Sequence, residues 1–451
     1  MKEKNDKSYL VSKIFKNVIF ILFVAFSLFL LFKHELWRDE AQNWLLNRDL
    51  SLRELTYQLK IEGHPILWYL VLRPFVKLGF SYALSGFIPL VITLIAVYLI
   101  INYFPYNPFV VLVTLCNPFI IYLAPIFVRS YCLIALLFVL LAILYKKRYE
   151  YPVFYGLCIA ALLNTHVMVC GLPLALLGIE FISLFKKKNS RKDILKILVI
   201  GILGIIILIL QLYGSSSSSN LESLFINMSD SLDYILMCVT CSVFLKISFI
   251  SLLIISVVYL MYKKEFAMLF VMLCSFMSVL TITACFHKNY YLCFLIIPGI
   301  IFVFWNIKEK TILSQILFVS IMACFIYATS IYVRYELDNN YSSSAMTAEY
   351  IEKNIPKGTE IGCNYIANCS AIIPFFPKNT YSFIDLALNK PFTYVDWNDY
   401  DVPERFHTAD SVTSDYIIVT GMQERSDYEN YDVIYTSDES LFESYMILKH
   451  K

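Results

Sequence analysis

Trp37-Arg38-Asp39-Glu40-Ala41, followed by Glu62-Gly63-His64-Pro65, is a polar interval between two hydrophobic stretches. An apolar run from about Val18 to Phe32 precedes it, and the rest of the first two-thirds of the chain reads as membrane. Charge beside a bilayer is costly and is rarely without a role. An acid pair and a His-Pro pair directly after a first membrane helix therefore read as a reaction site.

Composition agrees. The 451 residues are 59% hydrophobic and only 16% charged, with a mean hydropathy of +0.64. The excess comes in long runs typical of membrane helices, which excludes an ordinary soluble domain of this size. The net charge of +2 averages unlike parts: residues 334–451 hold nine Lys and Arg against nineteen Asp and Glu. The lysines of the apolar part fall at helix ends, so no basic face for nucleic acid stands out. Ten of the twelve cysteines, Cys116 to Cys324, lie in apolar runs, where Cys acts as a small hydrophobe. Cys238 and Cys241 have metal-ligand spacing but no second pair. Cys363 and Cys369 lie in the polar tail, where an oxidising compartment would let them bridge.

Basic clusters orient the chain, because cytoplasmic loops collect Lys and Arg. The N-terminus, Lys146-Lys147-Arg148, Lys186-Lys187-Lys188, Lys263-Lys264 and Lys308 with Lys310 are all placed inside. Basic residues also flank a signal peptide, but no small-residue cleavage site follows Phe32, so an uncleaved first helix is expected. Pro65–Gly79, carrying Arg73 and Lys77, is expected in the interface as an amphipathic helix. This arithmetic gives roughly eleven spans. The polar run Gly214–Asn220 reads as a flexible loop. The expected fold is mostly α: a polytopic membrane helical bundle over residues 1–333, with a first outer loop at 34–64. A small soluble, acidic, extracytoplasmic α/β domain is expected over 334–451. Within it Ser344–Asn354 reads as a helix, and 360–363, 416–420, 431–435 and 445–448 as strands.

Adjacent on a helix, Asp39 and Glu40 point about 100° apart, so one can face a pocket while the other is held by a partner. A carboxylate near a hydroxyl can act as general base; the plain alternative is a helix-start cap. Glu62-Gly63-His64-Pro65 reads as a turn into a helix with Pro in its first turn. Trp68 and Tyr69 follow, as interfacial aromatics or as a surface for sugar rings. Arg129, inside Ile126-Phe127-Val128-Arg129-Ser130-Tyr131, needs an anion or a carboxylate partner. His166 and the pair His287-Lys288 stand at other outer helix ends. Acid pair, Arg and histidines all fall on one side of the membrane under a topology drawn from Lys and Arg alone.

The order of basic N-terminus, first helix, Trp37-Arg38-Asp39-Glu40-Ala41 with Gln42 and Trp44, Glu62 to Tyr69, then Arg129-Ser130-Tyr131 resembles the GT-C superfamily of membrane glycosyltransferases. It resembles in particular bacterial relatives of protein O-mannosyltransferases and lipid A aminoarabinose transferases. The resemblance covers roughly residues 14–333, with the tail compatible with variable outer domains. It implies inverting transfer of a sugar from a polyprenyl-phosphate donor to an acceptor hydroxyl of a glycan, lipid or protein. The reaction would occur at the outer face of a bacterial cytoplasmic membrane, with the N-terminus cytoplasmic. It implies Asp39 as general base and Glu40 as its support or the acceptor's guide. Arg38, Glu62, His64, Trp68, Tyr69, Arg129, Tyr131, His166, His287 and Lys288 would bind substrate and phosphate. Gly-His-Pro stands where some relatives carry Lys beside Pro. No metal or other cofactor is expected, although an acid pair can hold a divalent ion. The main rival is a multi-spanning transporter or flippase of envelope precursors, which more often shows repeated halves and Gly/Pro-broken midplane helices. A polymerase or ligase with its key Arg and His in a late loop is a second rival, and a purely structural envelope protein a third.

Overall fold

The computed structural model describes residues 2–213, 221–286, 290–397, 414–420, 428 and 430–451. The expected loop at Gly214–Asn220 and the pair His287-Lys288 lie outside the described residues. Among those described, seven helices are long and apolar enough to cross a membrane, or up to eight if one bent pair is a single span. They include Lys13–Leu31, Val167–Lys186, Lys188–Leu212 and Ile312–Asp338; the bent pair is Pro108–Leu115 with Phe119–Ile126, at 65°. Further apolar runs form shorter helices, among them Tyr131–Leu144, Pro152–Leu163 and Ile297–Asn306. At about 1.5 Å per residue these fall short of a hydrocarbon core of about 30 Å, which is why helix length supports fewer spans than the roughly eleven expected. After the polar run the chain is helical over Leu221–Thr240 and again over Val243–Tyr262.

Contacts join four of the basic clusters in two pairs. Lys263 pairs with Glu309 at 2.7 Å, the Lys308 amide donates to Glu265 at 2.8 Å, and Lys187 lies over the Tyr149 ring at 4.9 Å. Beside them Arg148 pairs with Glu180, a carboxylate buried inside a candidate span.

The polar interval is itself helical. Helix α1 (Lys2–Leu31) is followed by α2 (Arg38–Asp49), α3 (Leu52–Glu62) and α4 (Leu67–Lys77). α3 starts on a capping box in which Ser51 and Glu54 exchange hydrogen bonds, and stops at Gly63, whose φ of 66° suits a residue without Cβ. Pro65 therefore precedes the N-cap Ile66 of α4 rather than entering its first turn. α4 buries Trp68, Tyr69, Leu72 and Val76, and its Arg73 and Lys77 donate to the carbonyls of Leu50 and Arg48.

α2 reads polar yet is buried continuously from Glu40 to Asn47. Three bodies cover it: the membrane helices, α4, and the tail, whose core takes in Leu45. The boundary drawn at 333/334 falls inside the last long helix, which continues to Asp338. Beyond it Ser344–Asn354 is helical as expected. Among the described residues the tail sheet has six strands: β1 (Glu360–Cys363), β2 (Ser382–Asp385), β3 (Lys390–Pro391), β4 (Tyr416–Thr420), β5 (Tyr431–Thr436) and β6 (Tyr445–His450). Their order is β3-β2-β1-β4-β6-β5, with β1 parallel to both β2 and β4 and the other pairs antiparallel. β2 and β3 were not legible as strands, being short and without alternation. Cys363 and Cys369 are buried free thiols in the tail core.

Candidate active site

The tail is tied to the polar interval by specific bonds. The Arg38 amide donates to Glu443 at 2.9 Å, the Ser342 amide to Glu35 at 3.0 Å, and the Ser344 hydroxyl to the Leu36 carbonyl at 2.9 Å. At this junction lies a cavity of about 580 Å³. α2 contributes Arg38, Asp39, Gln42 and Asn43; the α3–α4 turn contributes Glu62, Gly63 and His64. Arg129, His166 and Thr283 add to the polar part. Ile61, Met168, Leu212, Ile282 and Leu292 form an apolar wall, and the tail adds Ala367, Ser370, Val395 and Trp397.

Asp39 faces the cavity between two guanidinium groups. Its carboxylate is 3.4 Å from Arg129 Nη1 and 3.9 Å from Arg38 Nε. Arg129 also donates to the Asp39 carbonyl at 3.1 Å, and Arg38 to Asn368 Oδ1 at 3.0 Å. Arg129 thus has the carboxylate partner its apolar surroundings require, and it remains in the cavity lining.

Glu40 is turned the other way, wholly buried and outside the cavity lining. Its Oε1 accepts from the Val128 amide at 2.6 Å, and its Oε2 from the Trp37 amide at 3.2 Å and from His34 Nε2 at 3.2 Å. Asn43 donates to the Val128 carbonyl at 3.3 Å, so both backbone groups next to Arg129 are strapped to α2. The strap works because Phe127–Ser130 is a break between helices, where the Val128 backbone is not committed to a helical ladder. His34 in turn donates through Nδ1 to Glu336 at 2.7 Å, and Glu336 accepts from Tyr122 at 2.8 Å. Burial alone would lower the His34 pKa, but the carboxylates of Glu336 and Glu40 outweigh it and push it up to about 10. His34 is thus an imidazolium clamped between two acids. Nothing in local sequence singled it out, since Glu336 is 302 positions away.

The remaining candidates divide. Burial pushes the Glu62 carboxyl up to about 7, against the hydrogen bond from Gln42 and the charge of Arg129. Glu62 accepts from Gln42 at 2.7 Å and from Tyr69 at 3.3 Å. His64 and His166 stand together, ring centres 6.4 Å apart. Burial and the Arg129 charge lower His166 to about 3 and His64 well below its ordinary value. Both histidines are therefore neutral at pH 7, and the positive charge of the described lining comes from Arg38 and Arg129. His166 Nδ1 accepts from the Met168 amide at 3.3 Å, which leaves the proton on Nε2. Trp68 and Tyr69 are buried rather than presented, because α4 packs that face on α2. Tyr131 is buried beside His166, ring centres 6.2 Å apart. Gln42, Ser370, Val395 and Trp397 are cavity residues that sequence reasoning did not select; for the last three no local pattern pointed there. Among the described residues no group of three or more His, Cys, Asp or Glu converges as a metal site.

Comparison of the chain with protein-family models found no match, and comparison with curated proteins found none.

Proposed function

We propose that this protein is a membrane glycosyltransferase that moves a sugar from a polyprenyl-phosphate donor to an acceptor hydroxyl, with inversion. The observation that carries the reading is the single cavity in which Asp39, Arg38 and Arg129 share space with an apolar wall of helix ends. An amphiphilic phosphate ester has the matching parts: a lipid for the wall, an anion for the arginines and a reacting carbon between. In this reading the Asp39 carboxylate takes the proton of the acceptor hydroxyl as its oxygen attacks the sugar carbon. The carbon–oxygen bond to phosphate breaks, and polyprenyl phosphate leaves with the electron pair. Arg129 and Arg38 stabilise the charge that develops on it, and the neutral imidazoles of His64 and His166 offer N–H donors to oxygen. Glu40 holds the framework without touching substrate. The N-terminus and basic clusters would be cytoplasmic, and the cavity and tail would face outward in a bacterial cytoplasmic membrane.

The test is transfer from a panel of radiolabelled polyprenyl-phosphate sugars by the purified protein in nanodiscs. Transfer, or slow hydrolysis, of one donor supports the enzyme and names its sugar. No turnover of any donor, offered with glycan, lipid and protein acceptors to well-folded protein, overturns it in favour of a transporter.

The same reading sets a pH dependence. Below pH 7 Glu62 is protonated; as pH rises through about 7 it ionises and adds negative charge beside Arg129. KM for the anionic donor is expected to rise several-fold across that range. Glu62→Gln, neutral at all pH, should abolish this rise. Glu443, pushed up to about 8 by burial, lies behind Arg38 and would leave a separate inflection at higher pH. A KM profile identical in wild type and Glu62→Gln rules the assignment out.

A further inference from the structure

We infer that Trp397 is the surface on which a sugar ring rests, held in register by a clasp between Gln42 and the backbone of Val395. The inference rests on the glycosyltransferase reading and adds to it the face that binds the ring. Of the five tryptophans, Trp37, Trp44, Trp68 and Trp305 are buried, whereas Trp397 is 37% exposed and lines the cavity. Apart from the two histidines it is the one aromatic side chain in the described lining. The C–H face of a sugar ring carries slight positive potential and sits favourably on the electron-rich face of an indole.

Its placement is built. The Val395 amide donates to Gln42 Oε1 at 3.0 Å, and Gln42 Nε2 donates back to the Val395 carbonyl at 2.8 Å. The same Nε2 donates to Glu62 Oε1 at 2.7 Å, so the amide that fixes the tail segment also fixes a cavity carboxyl. Gln42 is buried, so neither bond competes freely with water. In the same cavity, Asn43, Glu62 and Ser370 supply the polar groups that ring hydroxyls need. The tail thereby becomes part of the substrate site.

A sugar ring enters this chemistry from the donor or from a glycan acceptor, and the experiment separates the two. Full-length protein in nanodiscs is titrated with a polyprenyl-phosphate hexose and with the same polyprenyl phosphate lacking sugar. Trp397→Ala is expected to weaken the sugar-bearing lipid about tenfold and leave the sugar-free lipid unchanged, while Trp397→Phe keeps most of the affinity. That result assigns the donor's ring. Unchanged donor affinity with an acceptor KM raised about tenfold in the Ala variant alone assigns the acceptor's ring, and the platform stands. Equal weakening of both lipids, or no change in either affinity or KM, overturns it. If wild type binds neither lipid, the glycosyltransferase reading fails first, and that case is recognised in the unmutated protein.

Discussion

Asp39→Asn is expected to lower sugar transfer about 10²- to 10⁴-fold while the protein folds as well as wild type. Asn keeps the shape of the side chain and its capacity to accept from Arg129 at 3.4 Å, but it cannot take a proton. The fold should tolerate the change because the Asp39 side chain is 30% exposed, and partly exposed ion pairs contribute at most about 1 kcal/mol. The kinetic signature is specific. Losing the carboxylate removes the charge that competes with a donor phosphate for Arg38 and Arg129, so KM for the donor should stay level or fall while kcat collapses. A purely structural role would raise KM and lower thermal stability together. Product at the wild-type rate from well-folded Asp39→Asn would sink the base assignment.

The second large effect concerns stability. His34→Ala should cost about 3–5 kcal/mol, the usual consequence of removing one partner from a buried ionic cluster. Two carboxylates, Glu40 and Glu336, would then share a buried space with no cation between them. Tyr122 and the Val128 and Trp37 amides would still donate to them, which limits but does not cancel the loss. The pH dependence has a definite sign. The folded-state pKa of His34 is raised from 6.5 to about 10, so its contribution is fully present below pH 6.5 and is lost as pH rises towards 10. Chemical unfolding in mixed micelles should show wild-type stability falling over that window and His34→Gln falling less. A loss under about 1 kcal/mol with an unchanged alkaline slope would contradict the clamp. Because Glu40 also straps Val128, the variant should displace Arg129 and lower kcat as well.

These expectations divide the labour of the acid pair. Two adjacent carboxylates that look equivalent in Asp39-Glu40 end in different environments, one half-open beside two arginines and the other sealed against His34. The helical angle between them was legible; which one faced the cavity was not, because it depends on Val128 and Glu336.

The chain by itself determined the apolar runs that become membrane-length helices, the acidic composition of the tail, and four of the six strands among its described residues. These are short-range properties: hydropathy over a helix length and alternation over a strand are complete within the segment that shows them. It also determined that Asp39, Arg129, His64 and His166 stand at helix ends. Only the tertiary structure decided that they share one cavity, that burial keeps both histidines neutral, and that α4 hides Trp68 and Tyr69. It also decided that the tail, read as a small soluble α/β domain, supplies Trp397 and covers a polar helix. Charge state and exposure are set by whatever packs from elsewhere in the chain, here from as far as Val395 onto Gln42, and no local pattern carries that information.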